Sequence, residues 1–414
     1  MPLKINSSGG GSVSINAPVT GSNFSLTVPA NNATLITSDG GAITGNVAIS
    51  GNLSVSGNNI NPFGGMRNRI INGAMVIDQR NAGASVTPSS GTSTFITDRF
   101  SVYTTQSSKF TAQQNAGSVT PPAGFSNYLG ITSSSAYTSI SSDLFRIFTT
   151  IEGYNIADFA WGTASAKSIT LSFWVRSSLT GTFGGCLQNQ SNNRAYAFTY
   201  SISASNTWEY KTITITGETS GTWYTNNTLG LAINFDFGSG SSKQIAPGSW
   251  QAVDANAATG CTSIVGTSGA TLYLTGMQVE VGTQATPFDW RPFTTELQLC
   301  QRYYQKSYDI GTVPGTASFN GMIGFTVYGS GSCLYYVPYR VSMRPSGSVT
   351  FWDAAGNVSK ISNFNANAWA NNTGTNAVTN VGENSWGLNY GVGGANPWTT
   401  GQPALIHYAA SAEL

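Results

Sequence analysis

The sequence predicts an all-β protein with one short helix, and three observations carry that expectation. Short apolar runs alternating at period two recur along the 414 residues, separated by Gly, Asn and Pro. No long amphipathic helix lies between them, which argues against a parallel βαβ architecture. Only 8% of residues are charged, against about 25% in an average soluble domain. Hydroxyls and amides over cores of Val, Ile, Phe, Tyr and Trp fit rigid β structure, not charge-driven disorder. The expected architecture is an N-terminal β stalk (1–65), a jelly-roll-like antiparallel sandwich (66–292), a short connecting helix (293–306) and a small C-terminal β tip domain (307–414).

Residues 1–65 are rich in Gly, Ser and Asn. Residues 45–62 hold a six-residue repeat, each unit opening on Gly-Asn. Six is even, so Val47, Ile49, Leu53 and Val55 share one face of an extended chain. Two apolar residues per repeat cannot form a core in one chain, but three chains around an axis can. The alternative is a flexible linker. Phe24–Val28 shows the same alternation and suits an attachment segment.

In the sandwich the expected strands are Phe95–Tyr103, Ser168–Arg176, Arg194–Ser203, Tyr210–Thr216, Leu229–Phe237 and Thr271–Val281. Ile169, Leu171, Phe173 and Val175 share one face, the pattern of a half-buried antiparallel strand. Many short strands over about 200 residues point to a sandwich. The helix is expected at Thr295–Tyr304, with Thr295 as N-cap, Gln298 completing a capping box and Glu296 favoured by the helix dipole. Leu297, Cys300 and Tyr304 form its apolar stripe. So short a helix must dock on the sandwich or on neighbouring copies. Beyond it, Gly321–Tyr328, Ser332–Tyr339, Ser346–Trp352 and Ala404–Tyr408 are strand candidates, with a turn at Asp353–Asn357.

The net charge of +1 and the absence of any Lys/Arg run argue against nucleic-acid binding. Apolar runs are too short to span a membrane. Cys186, Cys261, Cys300 and Cys333 form no CxxC pair or zinc spacing and read as buried free thiols. No cofactor is expected. Nucleophilic catalysis would need His407, the only histidine, placed inside an apolar strand candidate, where packing is the simpler role. The scattered acids offer no local carboxylate pair for glycoside hydrolysis. Glu280 and Asp289 are weak candidates for a structural Ca²⁺; the alternative is a solvent-facing Glu and a turn Asp capping an amide.

Sugar binding suits the composition better, because flat rings take the apolar face of a pyranose and amides take its hydroxyls. The candidate patch is Trp369, Asn371, Trp386, Asn389, Tyr390 and Trp398 in the glycine-rich tip. A second patch is Trp223, Tyr224 and Asn226. The competing role for these tryptophans is core filling.

Four motifs occur in order: Arg67–Arg80, Thr97–Phe100, Gly276–Gly282 with Ala285–Asp289, and Leu297–Tyr304 ending Cys-Gln-Arg-Tyr-Tyr. With Val341–Pro345, they resemble the bacteriophage tail-fibre and virion-adhesin family over roughly residues 66–350. The resemblance implies a homotrimeric virion fibre whose sandwich is similar to carbohydrate-binding modules. A surface built for the outside, no apolar leader near Met1 and no disulfide framework fit a virion protein made in host cytoplasm. The expected partners are two further copies, joined through Leu297, Cys300, Tyr304 and the repeat, tail or baseplate proteins at the N-terminal segment, and host surface polysaccharide. A head fibre or capsid decoration without a receptor role, and a polysaccharide depolymerase, are the alternatives.

Overall fold

The computed structural model describes residues 3–6, 12–15, 66–328, 333–345, 347–365, 368–371, 376–391 and 400–414. The chain divides into two compact units, Met1–Gly57 and Asn58–Leu414. In the first, Leu3–Asn6 and Ser12–Ile15 pair antiparallel, with Ile5 opposite Val13. Val47, Ile49, Leu53, Val55 and the Phe24–Val28 segment lie outside the described residues.

The second unit is all-β apart from one α-helix and three short 3₁₀ segments among the described residues. Its larger part is a two-sheet antiparallel sandwich. The seven-stranded sheet runs Trp250–Gln251, Ala195–Ile202, Gly181–Gln188, Leu229–Asp236, Phe145–Glu152, Phe100–Thr104, Ser93–Thr97. The five-stranded sheet runs Glu209–Ile215, Ile169–Ser177, Thr271–Val281, Leu129–Ser133, Phe110–Gln114. Alternation sends Ile169, Leu171, Phe173 and Val175 from one sheet, and Phe145, Ile147, Leu231, Ile233 and Phe235 from the other, into a shared core.

The expected strand Phe95–Tyr103 is in fact a hairpin. Ser93–Thr97 and Phe100–Thr104 pair antiparallel around Asp98 and Arg99, and Arg99 takes a left-handed φ of 67°. Thr271–Val281 carries a bulge between Thr275 and Gln278. Gly276 sits there at φ 60°, and a Cβ would come within 2.7 Å of the Phe125 ring, so glycine is required on both counts.

The helix is Phe293–Gln301, two residues earlier than expected, with Pro292 as N-cap and no side-chain cap. The Thr295/Gln298 box does not form because the helix starts at Phe293 and places Thr295 inside it; Glu296 instead accepts from the Asn72 backbone N–H and pairs with Arg291. Tyr304 lies past the helix and opens the strand Tyr304–Lys306.

Gln244–Ile245 and Ala257–Ala258 form a short parallel pair beside the sandwich, and the C-terminal sheets centre on Pro403–Ser411. This strand pairs with Tyr304–Lys306, Ser348–Trp352, Ile323–Thr326 and Ser362–Asn365. A three-stranded sheet, Cys333–Pro338, Ser385–Tyr390 and Asn376–Thr379, packs on it through a core that includes Phe351, Trp386, Leu388, Ile406 and Tyr408. No helix among the described residues is long and apolar enough to cross a membrane.

Candidate functional site

The motifs that carry the family resemblance converge on one place, the junction between the sandwich and the C-terminal sheets. Asn68 donates through Nδ2 to Met277 O (2.9 Å) and accepts at Oδ1 from the backbone of Ile70 and Val279. Asn72, at φ 61°, donates to the carbonyls of Ile77 and Asp98. Gln79 donates to Asp98 and to Tyr304 O. Burial pushes Asp98 up to about 6, against the pull of Arg80 and the Gln79 hydrogen bonds.

Four arginines complete the junction. Arg80 lies between the rings of Phe95 (4.3 Å) and Tyr304 (3.7 Å) and pairs with Glu413 at 2.8 Å. Arg99 sits 3.6 Å over Tyr303 and pairs with the other oxygen of Glu413. Arg302 grips Glu152 with two nitrogens at 2.5 and 2.8 Å, and the Tyr303 hydroxyl donates to the same carboxylate. Arg344 donates to the carbonyls of Ala412 and Glu413. This interior is a clamp whose charged groups bind one another.

The clamp corrects the expected trimer stripe. Cys300 and Tyr304 are buried within their own chain, Tyr304 in a cluster with Tyr308, Trp352 and Ala409. Only Leu297 stays partly exposed, on the side that also shows Phe293 and, just before the helix, Trp290. Trp290 is 53% exposed and meets Phe125 and Phe288, each at 4.8 Å. A pocket of about 120 Å³, lined in part by Asn68, Asp289, Trp290 and Phe293, opens beside it.

The tip patch divides as well. Trp386 and Tyr390 are core residues, with no face open to a ligand; Trp386 packs on Phe351 and Tyr408. Trp369 and Asn371 lie on the strand Ala368–Asn371 with their side chains outside the described set, and Trp398 is outside the described residues. Asn389 points outward. Across the three-stranded sheet it stands level with Leu334 and Ala377, and the next row is Tyr336, Gly387 and Thr379. Leu334 is 46% and Tyr336 51% exposed. Tyr336 Oη accepts from Asn380 Nδ2 at 2.9 Å, which orients the ring and leaves the phenol proton to donate outward. Among the described residues this outer face carries aromatic, amide and hydroxyl groups and no charge. Sequence reading missed Tyr336, although alternation in Leu-Tyr-Tyr-Val-Pro places Leu334 and Tyr336 opposite the buried Val337.

The second patch loses its tryptophan. Trp223 is only 8% exposed, in edge-to-face contact with Trp161 (4.7 Å) and Trp250 (5.4 Å). Tyr224 and Asn226 remain at the surface, with Asn226 Oδ1 occupied by Thr228.

Glu280 is buried, not solvent-facing. Its oxygens accept from Gln278 and from the Thr286 backbone and hydroxyl, while Asp289 accepts from Asn68 N. Among the described residues no group of three or more His, Cys, Asp or Glu is placed to hold a metal. Cys186, Cys261 and Cys300 are free thiols, and burial raises the pKa of each. The Cys333 side chain lies outside the described set.

His407 makes a contact that its position in the sequence did not reveal. Its Nδ1 lies 2.9 Å from Ser307 Oγ, and Nε2 lies 3.1 Å from Ser318 O. A carbonyl only accepts, so Nε2 carries the proton and Nδ1 accepts from Ser307. Both side chains are buried and the imidazole stacks on Tyr308 at 3.6 Å. The pair is a packed structural knot with no route for a substrate carbonyl.

No protein-family model matches the chain, and no curated protein matches it. Among solved structures, the enzymatically active domain of tailspike protein 4 from bacteriophage CBA120 aligns at 14% identity and TM-score 0.26, over 52% of this chain and 21% of that one. A family 11 carbohydrate-binding module from Clostridium thermocellum aligns at 13% identity and TM-score 0.23, over 49% of this chain and 98% of the module. A putative sugar binding protein from Bacteroides thetaiotaomicron gives 10%, 0.25, 52% and 99% respectively. The chain thus spans about a fifth of the tailspike it resembles. At these scores the likeness carries no functional information, and the reading below rests on the side chains of this chain.

Proposed function

We propose that the chain is a non-catalytic fibre subunit of a phage virion that adheres to a host surface glycan through the outer face of its three-stranded tip sheet. The observation that carries the reading is that face: exposed Leu334 and Tyr336, with Asn380, Asn389 and Thr379 around a glycine floor and no charged group among the described residues. Gly387 keeps the floor flat; a Cβ there would stand 3.0 Å from Leu334 Cδ1 and 2.9 Å from Thr379 Cγ2. A flat ring beside neutral donors and acceptors matches a pyranose, which offers apolar C–H and hydroxyls on one surface. A charge-poor surface also loses little on desolvation.

Trimer formation belongs to the same proposal. It rests on the six-residue repeat and on the row Trp290, Phe293 and Leu297, which stands where Cys300 and Tyr304 were expected to serve. Sedimentation of the full chain tests this; a stable monomer at micromolar concentration rules it out. Binding of the full chain to purified host polysaccharide, with Tyr336→Ala beside Trp290→Ala, tests the adhesive face. Loss only in Trp290→Ala would move the site to the sandwich. A chain ending near Tyr304 is not a usable control, because it removes Glu413 from the buried Arg99.

A further inference from the structure

The outer face of the seven-stranded sheet holds a cation outside the ion pairs of the described residues; Asp254, the acid that attracts it, stands beyond ion-pair distance and pairs with Lys243 at 3.5 Å. Phe145, Ile147 and Ile151 turn into the core. Arg146 and Phe148, between them on the strand, therefore face the other way. The Arg146 guanidinium lies 4.6 Å from the Phe148 ring and 5.5 Å from that of Tyr103, its cross-strand neighbour. It enters none of the ion pairs among the described residues. Its one hydrogen bond there is Nη1 to Asn234 Oδ1 at 2.8 Å, while Nε is buried without a partner.

Asn234 is itself held in place, donating to Cys186 O and to Gln188 Oε1. Gln188 accepts from Asn256 and donates to Asp254 at 3.0 Å. A chain of amides thus crosses the sheet and presents Arg146 at its end. Burial pulls the pKa of Arg146 down, yet an arginine keeps its charge in a protein. A desolvated guanidinium held by aromatic rings and one neutral amide is a preformed receptor for a planar anion.

We propose that this face is a second binding site, taking the carboxylate of an acidic sugar on Arg146 and its ring against Tyr103. The sugar part of the proposal rests on the glycan-adhesion reading; the anion site rests on Arg146 alone. Titration of the full chain with oligogalacturonate and with its neutral galactose counterpart, read by calorimetry, tests it. The acidic probe is expected to bind roughly tenfold or more tightly, with the advantage eroded by salt. Arg146→Gln should remove that preference, Arg146→Lys restore it in part, and Tyr103→Ala weaken binding of the acidic probe. Tyr336→Ala should leave the dependence of acidic-probe binding on Arg146 unchanged. Equal affinity for the two probes, no binding of oligogalacturonate, or an Arg146→Gln protein that melts normally and keeps the preference would overturn the proposal. Loss of neutral-polysaccharide adhesion only in Tyr336→Ala separates the fate of the tip reading from that of this site.

Discussion

The junction and the outer face of the tip sheet are built from opposite chemistries. The junction gathers four ion pairs, Arg80 and Arg99 with Glu413, Arg291 with Glu296 and Arg302 with Glu152, and turns them inward. The tip face has no charge and turns Tyr336, Leu334 and amides outward. The sequence motifs that resemble a known family fall on the junction. The tip face draws almost wholly on segments outside them.

The contrast can be broken most forcefully at Glu413. Glu413→Ala leaves Arg99 and Arg80 without their carboxylate in a buried setting. Breaking a buried pair in this way is destabilising by about 3–5 kcal/mol. Urea unfolding should show the loss, while the folded fraction still binds polysaccharide normally; a change under about 1 kcal/mol would mean the clamp is not structural.

Tyr336→Ala should do the reverse. Affinity for host polysaccharide falls roughly tenfold, about 1.4 kcal/mol, with the melting temperature unmoved. A melting shift with intact binding would assign Tyr336 to packing.

Trp386→Phe comes next. The indole is buried and its Nε1–H has no partner. Shrinking the ring while removing an orphan donor should lower stability by about 1–2 kcal/mol and leave binding alone. Loss of binding without loss of stability would return Trp386 to the site.

The smallest effect is that of pH. Burial holds His407 below its usual 6.5. The unfolded chain therefore takes up this proton first, and stability falls as pH drops below 6.5. Asp98 works the other way. Its raised value of about 6 means the folded state keeps a proton that the unfolded chain releases above 3.8. That contribution is present at low pH and lost as pH rises through about 6. His407→Gln should thus melt below the parent near neutral pH, with the gap narrowing by under about 1 kcal/mol toward pH 5. A constant gap would show that His407 does not titrate.

Much of the fold is legible in the sequence. Period-two runs located Thr271–Val281 to the residue and four further sandwich strands to within one, because burial of one sheet face forces alternation. Phe110–Gln114, Leu129–Ser133 and the edge strand Trp250–Gln251 were not picked out, and neither were Phe145–Glu152 and Gly181–Gln188. The outer face of one is half apolar and the other is glycine-rich, so neither alternates cleanly. The site was less legible. The Asn/Trp density around residue 386 pointed toward the three-stranded sheet whose outer face we propose as the site, but residue type does not say which side of a strand faces water.

By itself the sequence determined composition, periodicity and motif order, and through them the all-β class, the place of the single helix and a surface suited to neutral ligands. These are local quantities, read from neighbours along the chain. Only the tertiary structure decided that Trp386 and Trp223 fill cores, that Cys300 and Tyr304 are buried beside a clamp in which Arg80 and Arg99 hold Glu413, and that Tyr336 and Arg146 face outward. Burial and charge pairing are settled by residues that approach from afar: Arg99 and Glu413 meet across 314 positions. No spacing rule along the chain reports such a meeting.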